Sequence, residues 1–195
     1  MRKVGITRRE MLGAGVGAAV SLALAGCASA PRAAGDAAAR GNAAASDAAA
    51  RAAAAMRATV TPLNEKLLLV SGLGGNIVAL KGDEGLVLVD AGAPGTHGKL
   101  QAELAAFAPG AKVTTVINTH WHALQTGNNA VFAEGGARLI AHAKAAQRMR
   151  VPQYVPWEDR YQPAREKGAV PTEVFYTGRR ELAFGGERIE YGYLQ

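Results

Sequence analysis

Cysteine is almost absent from this chain: Cys27 is the only one in 195 residues. No intrachain disulfide can form, so the fold must rest on a packed core, which a chain of this length can build. Aromatic side chains are scarce, and no basic run is interleaved with them; that excludes the stacking-plus-phosphate surface by which proteins bind nucleic acid. Acidic residues number 16 against 22 Lys+Arg, a net charge of +6. The excess lies at the front, because residues 1–59 hold eight of the basic and three of the acidic side chains. The remaining 14 and 13 leave the body of the chain nearly neutral, with no call on a polyanionic partner. A long hydrophobic run is missing too. The stretch Met11–Gly26 has 16 residues, short of the ~20 that span a bilayer. A phosphate loop is also lacking: "GLGGN" at 72–76 is not followed by Lys-Ser/Thr and reads as a plain turn.

What is present begins with the leader. "MRKVGITRREMLGAGVGAAVSLALAGCASA" has a basic start and then a weakly apolar stretch, the form of a secretory signal. Arg8 and Arg9 within "TRREML" resemble the twin-arginine export signal, which a receptor reads. "LAGC" at 24–27 resembles the lipobox of bacterial lipoproteins, in which the cysteine thiol is the nucleophile that takes the lipid. The alternative is simple cleavage after "ASA" at 28–30, with Cys27 discarded. Acylation of Cys27 would make the membrane a partner through several acyl chains. Either way the expected location is the bacterial cell envelope: the periplasm, or the membrane through a lipid anchor. Residues 28–58 hold 18 alanines in 31 positions and no stripe of large apolar side chains. Alanine favours helix, and they read as a low-complexity tether, flexible or transiently helical, that does not belong to the fold. The expected organisation is therefore a signal peptide over 1–27, a tether over 28–58 and a domain over 59–195.

Within that domain, "TVTPLNEKLLLVSG", "GGNIVALKG" and "EGLVLVDAG" read as three strands punctuated by glycines. "THGKLQAELAAFA" is an amphipathic helix with Leu100, Leu104 and Phe107 at helical spacing, Thr96 as its cap and Pro109-Gly110 as its stop. "KVTTVINT" is the next strand. A short helix near 128–134, the strand "ARLIAH" and the helix "AKAAQRMR" follow. Residues 151–171 read as an irregular loop, and "TEVFYTG" and "RELAFGGERIEYGYL" as strands, the latter a hairpin about Gly185-Gly186. Strands mixed with helices predict an α/β layered domain.

The chemistry sits in "INTHWHALQTGNN", residues 117–129. In extended backbone, residues i and i+2 share a face, so His120 and His122 point together and Trp121 points away. Their Cα atoms would lie about 6.5 Å apart, close enough for two imidazoles to meet one ion at Zn–N distances of about 2.0–2.1 Å. Two surface histidines with ordinary hydrogen bonds satisfy the same spacing.

The wider stretch "NTHWHALQTGNNAVFAEGGARLIAH" resembles the signature of the metallo-β-lactamase superfamily, T-H-x-H-x-D-H followed by a small Gly-rich stretch. "GLVLVDAG" resembles that family's strand ending in Asp, here Asp90. The resemblance spans about residues 60–195 and implies the first half of an αββα sandwich. It implies that His120 and His122 are the first two ligands of a first zinc, with Asp90 supporting the site through hydrogen bonds that orient the ligands. The family's next Asp falls on Leu124 and its next His on Gln125; leucine has no donor atom, and a neutral amide is a weak zinc ligand. The resemblance therefore implies a zinc site without its second metal and with weak or partial occupancy. Family members draw a third histidine from a later Gly-His-Ser/Thr turn, and "EYGYLQ" stands about where that segment would begin, so the chain reads as C-terminally truncated. His142 is expected at a helix start or in the core, His97 at the surface. In intact relatives zinc lowers the pKa of a bound water, and the hydroxide attacks an ester, thioester or lactam carbonyl.

The expectation is an exported homologue of such hydrolases, with a small-molecule substrate if active and little or no activity as this chain. Without its second half, the inner sheet face would lack cover and favour self-association. Two alternatives stand beside it. One is a non-catalytic envelope lipoprotein that binds through Trp121, Trp157, Tyr154 and Tyr161. The other is a mononuclear hydrolase completed by a ligand from another subunit.

Overall fold

The computed structural model describes residues 47–156 and 159–193. Arg8, Arg9, Cys27, residues 28–46 of the expected tether and Trp157 lie outside them. The element order is α1 (47–55), β1 (Thr59–Pro62), β2 (Leu67–Ser71), β3 (Ile77–Gly82), β4 (Gly85–Val89), α2 (His97–Phe107), β5 (Val113–Asn118), α3 (Ala123–Thr126), α4 (Asn129–Glu134), β6 (Arg138–His142), α5 (Ala143–Met149), β7 (Gln153–Val155), β8 (Arg160–Gln162), β9 (Glu173–Phe175), β10 (Arg179–Phe184) and β11 (Glu187–Gly192). Among the described residues, no helix is long and apolar enough to cross a membrane.

Seven strands form one sheet in the order β1-β2-β3-β4-β5-β6-β9. The first four are an antiparallel meander, and β4, β5, β6 and β9 run parallel. Central strands bury both faces, which explains their unbroken apolar runs. On one face Val70, Ile77, Leu88, Val116 and Leu139 pack with Leu100 and Leu104 of α2 and Phe132 of α4. On the other, Leu80, Val87, Ile117, Ile140 and Phe175 meet Phe184, Leu182, Ile189 and Tyr191 of the β10–β11 hairpin. That hairpin covers part of the sheet face expected to lie bare. The α/β layered class expected from the sequence is the class observed.

Four local expectations are corrected. The first strand expected from 59 to 71 is two, because Asn64 turns the chain: its side-chain oxygen accepts from the amides of Lys66 and Leu67, both at 2.8 Å. Residues 151–171 are not wholly irregular, since β7 and β8 pair there in antiparallel register. Thr96 precedes α2 but makes no capping bond; its hydroxyl donates to the Ala93 carbonyl at 2.7 Å. The last part of the expected tether is folded. Residues 47–55 are α1, Ala53 is buried, and Lys99 Nζ donates to the carbonyls of Ala53, Ala54 and Met56 at 2.7–2.8 Å. A lysine at a helix C-terminus satisfies carbonyls that have no partner within the helix.

Candidate metal centre

The site is built where the parallel strands end. Asp90 follows β4 with φ of 64°, the left-handed region that Asp enters more readily than most residues because its short side chain bonds locally. Its amide donates to the Ile117 carbonyl at 2.9 Å, completing the β4–β5 ladder. Its carboxylate is buried and accepts twice from Thr119, from the amide at 2.8 Å and from the hydroxyl at 2.7 Å. Burial pushes this carboxyl above the usual carboxylate range, and the two Thr119 bonds pull the other way.

Thr119 passes the connection on. Its Oγ1 lies 2.8 Å from His120 Nδ1. The single hydroxyl proton is committed to Asp90, so Nδ1 of the neutral ring must be the donor. The network thus assigns the Nδ1–H tautomer and places the lone pair of His120 on Nε2. Partial burial lowers the His120 pKa, while a hydrogen bond with the Gln125 side chain acts in the opposite direction. The His122 ring lies edge-on to His120, with centroids 4.8 Å apart at 87°. Trp121 packs against Ala146, Met149 and Val170, although its ring also touches His122 at 4.5 Å. The structure therefore brings His120, His122 and Asp90 together at one corner.

The corner is fixed from behind by two loops that touch through their backbones. The Ala91 amide donates to the Gln125 carbonyl at 2.7 Å, and the Gly127 amide to the Gly92 carbonyl at 2.9 Å. A Cβ on Gly127 would collide with the backbone nitrogen of Pro94, so only glycine lets the loops meet. Asn128 Nδ2 donates to Ala91 O at 2.7 Å and to Thr96 Oγ1 at 3.0 Å. Asn118 and Asn129 exchange amide bonds at 3.1 and 2.7 Å, and Asn129 also donates to Ala169 O at 3.0 Å. Sequence reasoning passed over these three asparagines. Their signal was polarity: Asn118 ends an apolar strand, and "GNN" opens a helix that is otherwise apolar.

The other histidines stand apart from this corner. His142 begins α5, where Nδ1 accepts from the Lys144 amide at 3.2 Å and Nε2 meets the Tyr176 carbonyl at 2.8 Å. Both ring nitrogens are thereby occupied. His97 opens α2 and packs edge-on to Phe132. Leu124 is 47% exposed and offers no donor, and the Gln125 side chain lies against Gly75. Among the described residues, no group of three or more His, Cys, Asp or Glu side chains could hold a metal ion. A catalytic zinc takes three protein ligands and an open position; two imidazoles beside a leucine and an amide do not fit it.

Comparison with known proteins gives a consistent picture of the fold. A subclass B3 metallo-β-lactamase of Bradyrhizobium japonicum matches with 24% identity and a TM-score of 0.53, over 66% of this chain and 49% of the other. A metallo-β-lactamase from Pontibacter korlensis matches with 19% identity and a TM-score of 0.51, over 69% and 59%. A Cronobacter sakazakii metallo-β-lactamase described by a HARLDQ motif matches with 19% identity and a TM-score of 0.54, over 65% and 49%. The chain thus spans about half to three-fifths of the length of these structures. No curated protein matches the sequence. Residues 70–190 match the metallo-beta-lactamase superfamily, more than half of the chain, and the protein belongs to that superfamily.

Proposed function

We propose that this chain is an exported protein of hydrolase fold whose zinc site is incomplete and which has little or no hydrolytic activity by itself. The observation that carries this reading is the donor set: His120 and His122 share a corner whose adjoining positions hold Leu124 and Gln125. Zinc in this family supplies a hydroxide at neutral pH. In this chain Asp90 and Thr119 hold His120 in one tautomer, and the two rings meet an ion with two nitrogens at most. Export rests on the leader with Arg8 and Arg9, and envelope attachment on Cys27; Cys27→Ser would then release the protein from the membrane fraction.

The test is zinc stoichiometry and turnover of the full chain, with a lactam and a thioester as substrates. The expected result is bound zinc well below one per chain at micromolar free zinc, and no hydrolysis above buffer. One tight zinc per chain that disappears in His120→Ala, together with turnover, overturns the reading. The double change Leu124→Asp with Gln125→His restores two donors and is expected to raise zinc occupancy.

A second reading, a mononuclear hydrolase completed by another subunit, is favoured by one observation. "HWHALQ" at 120–125 shares its first His and last Gln with the HARLDQ motif of the Cronobacter sakazakii enzyme. That motif carries Asp where this chain has Leu124. Activity per chain that rises with protein concentration would select this second reading.

A further inference from the structure

A pocket of ≈ 320 Å³ opens between the end of α5 and the start of β9, lined by Arg150, Arg165, Lys167, Val170 and Thr172. Neither His120 nor His122 borders it. Three of its five lining side chains are cationic and none is acidic. The ion pairs Lys66–Glu187, Arg138–Glu173, Arg179–Glu190 and Arg188–Glu181 do not engage the pocket cations.

Arg165 is the least solvated of the three. Burial lowers the pKa of its guanidinium. Its Nη2 donates to Gln162 Oε1 at 3.1 Å, and Nη1 makes a long 3.4 Å contact to Pro163 O. Its Nε is buried with no hydrogen-bond partner. The main chain beneath it is anchored, since the Arg165 amide donates to the Met149 carbonyl at 2.7 Å and fixes this segment on the end of α5. A half-buried guanidinium with no anion beside it is electrostatically unsatisfied, and charge-assisted hydrogen bonds to an anion are the interaction that offsets it. Thr172 adds a hydroxyl. Val170, which also belongs to the apolar cluster under Trp121, gives the pocket a greasy wall.

We propose that this pocket binds a small organic anion, its carboxylate or phosphate head held by Arg165, Arg150 and Lys167 and its apolar part resting on Val170. An adjoining groove of ≈ 310 Å³ shares Lys167, Val170 and Thr172 and leaves room for that apolar part to extend. Arg138 lines the groove but is already paired with Glu173 at 3.2 Å, so it does not compete for the anion.

The experiment titrates the full chain with inorganic phosphate, with hexanoate and with neutral hexanamide, read by calorimetry and by amide shifts of residues 165–172. Hexanoate or phosphate is expected to bind and hexanamide not to; which of the two binds identifies the head group. Arg165→Met, which keeps the packed stem, is expected to weaken binding by about tenfold or more. Lys167→Gln, at an exposed position, is expected to weaken it less and covers the case in which Arg165→Met fails to fold. His120→Ala, outside the pocket and the groove, is expected to bind as the parent does. Absence of binding by both anions at millimolar concentration overturns the proposal, as does equal binding of hexanamide or unchanged affinity in both pocket variants.

Discussion

The ends of β5 and β6 lie side by side in the sheet, and each delivers a histidine to the same edge. The β6 histidine, His142, is closed off: one nitrogen receives the Lys144 amide, the other meets the Tyr176 carbonyl, and Tyr193 stacks on its ring at 4.3 Å. The β5 histidine, His120, is tied on its Nδ1 side through Thr119 to Asp90, and its ring also hydrogen-bonds the Gln125 side chain, beside His122. Neighbouring strands thus use one residue type in two ways. A histidine whose two nitrogens are both spent on the backbone is a structural clasp; one whose partners are side chains is positioned by groups that can exchange for another. Nothing in the residue type distinguishes them, and only the partners do.

Substitutions that remove one side of this contrast should fall in a definite order. Gly127→Ala drives a methyl into Pro94 where neither backbone can yield, and it is expected to cost about 3 kcal/mol of stability in denaturant unfolding. A cost below about 1 kcal/mol would show that the loops behind the β5 corner are not locked together. Asn129→Ala takes a partner from both polar atoms of the Asn118 amide and from the Ala169 carbonyl and is expected to cost about 2 kcal/mol. His142→Ala removes a helix cap and a ring contact, about 1 kcal/mol, whereas His120→Ala is expected to change stability by less than about 0.5 kcal/mol. Equal costs for the two histidines would erase the distinction drawn between them.

The smallest effect is also the most specific. Asp90→Asn keeps an acceptor for the Thr119 amide but turns an NH2 toward the Thr119 hydroxyl. That hydroxyl then donates to His120 Nδ1, and the ring must switch to the Nε2–H tautomer. Nitrogen chemical shifts of His120 report the switch, while those of His142 should stay as they are.

The same pair shapes the acid response. His120 has a folded pKa below the ordinary 6.5, so the stability contributed by its neutral ring is complete above pH 6.5. It is lost as pH falls through the lowered value. Asp90 has a folded pKa above 3.8, and its contribution runs oppositely: complete below pH 3.8 and lost as pH rises through the raised value. His120→Gln should therefore flatten the fall in stability just below pH 6.5. An unchanged profile would mean that the ring titrates as in the unfolded chain.

How much of this was legible in the sequence depends on how the information is carried. The i, i+2 spacing of His120 and His122 is a local property of extended backbone, and their convergence could be read directly. The unbroken apolar runs about Leu86–Val89 and Val116–Ile117 likewise announce strands buried on both faces. The β7–β8 pairing could not be read, since three-residue strands are too short to show a period. Thr96 had a capping residue's identity, yet Ala93 and Asn128 compete for its hydroxyl from within the tertiary fold. The three asparagines behind the corner make bonds across 11 to 40 residues of sequence, which no local pattern encodes.

The docking of helix α1 was hidden for a different reason. An alanine-rich segment has no stripe of large side chains, so nothing in it announces a docking face. Its attachment comes from outside, through Lys99, and from the small size of Ala53, which lies in the space beside Gly95. That attachment alters a length. With the domain beginning at residue 47 instead of 59, nineteen residues separate Cys27 from the fold, at most about 65 Å of fully extended chain. If Cys27 carries lipid as proposed, Lys99 shortens the leash by about 40 Å. On that proposal it would set how far from the membrane surface the histidine corner can be carried.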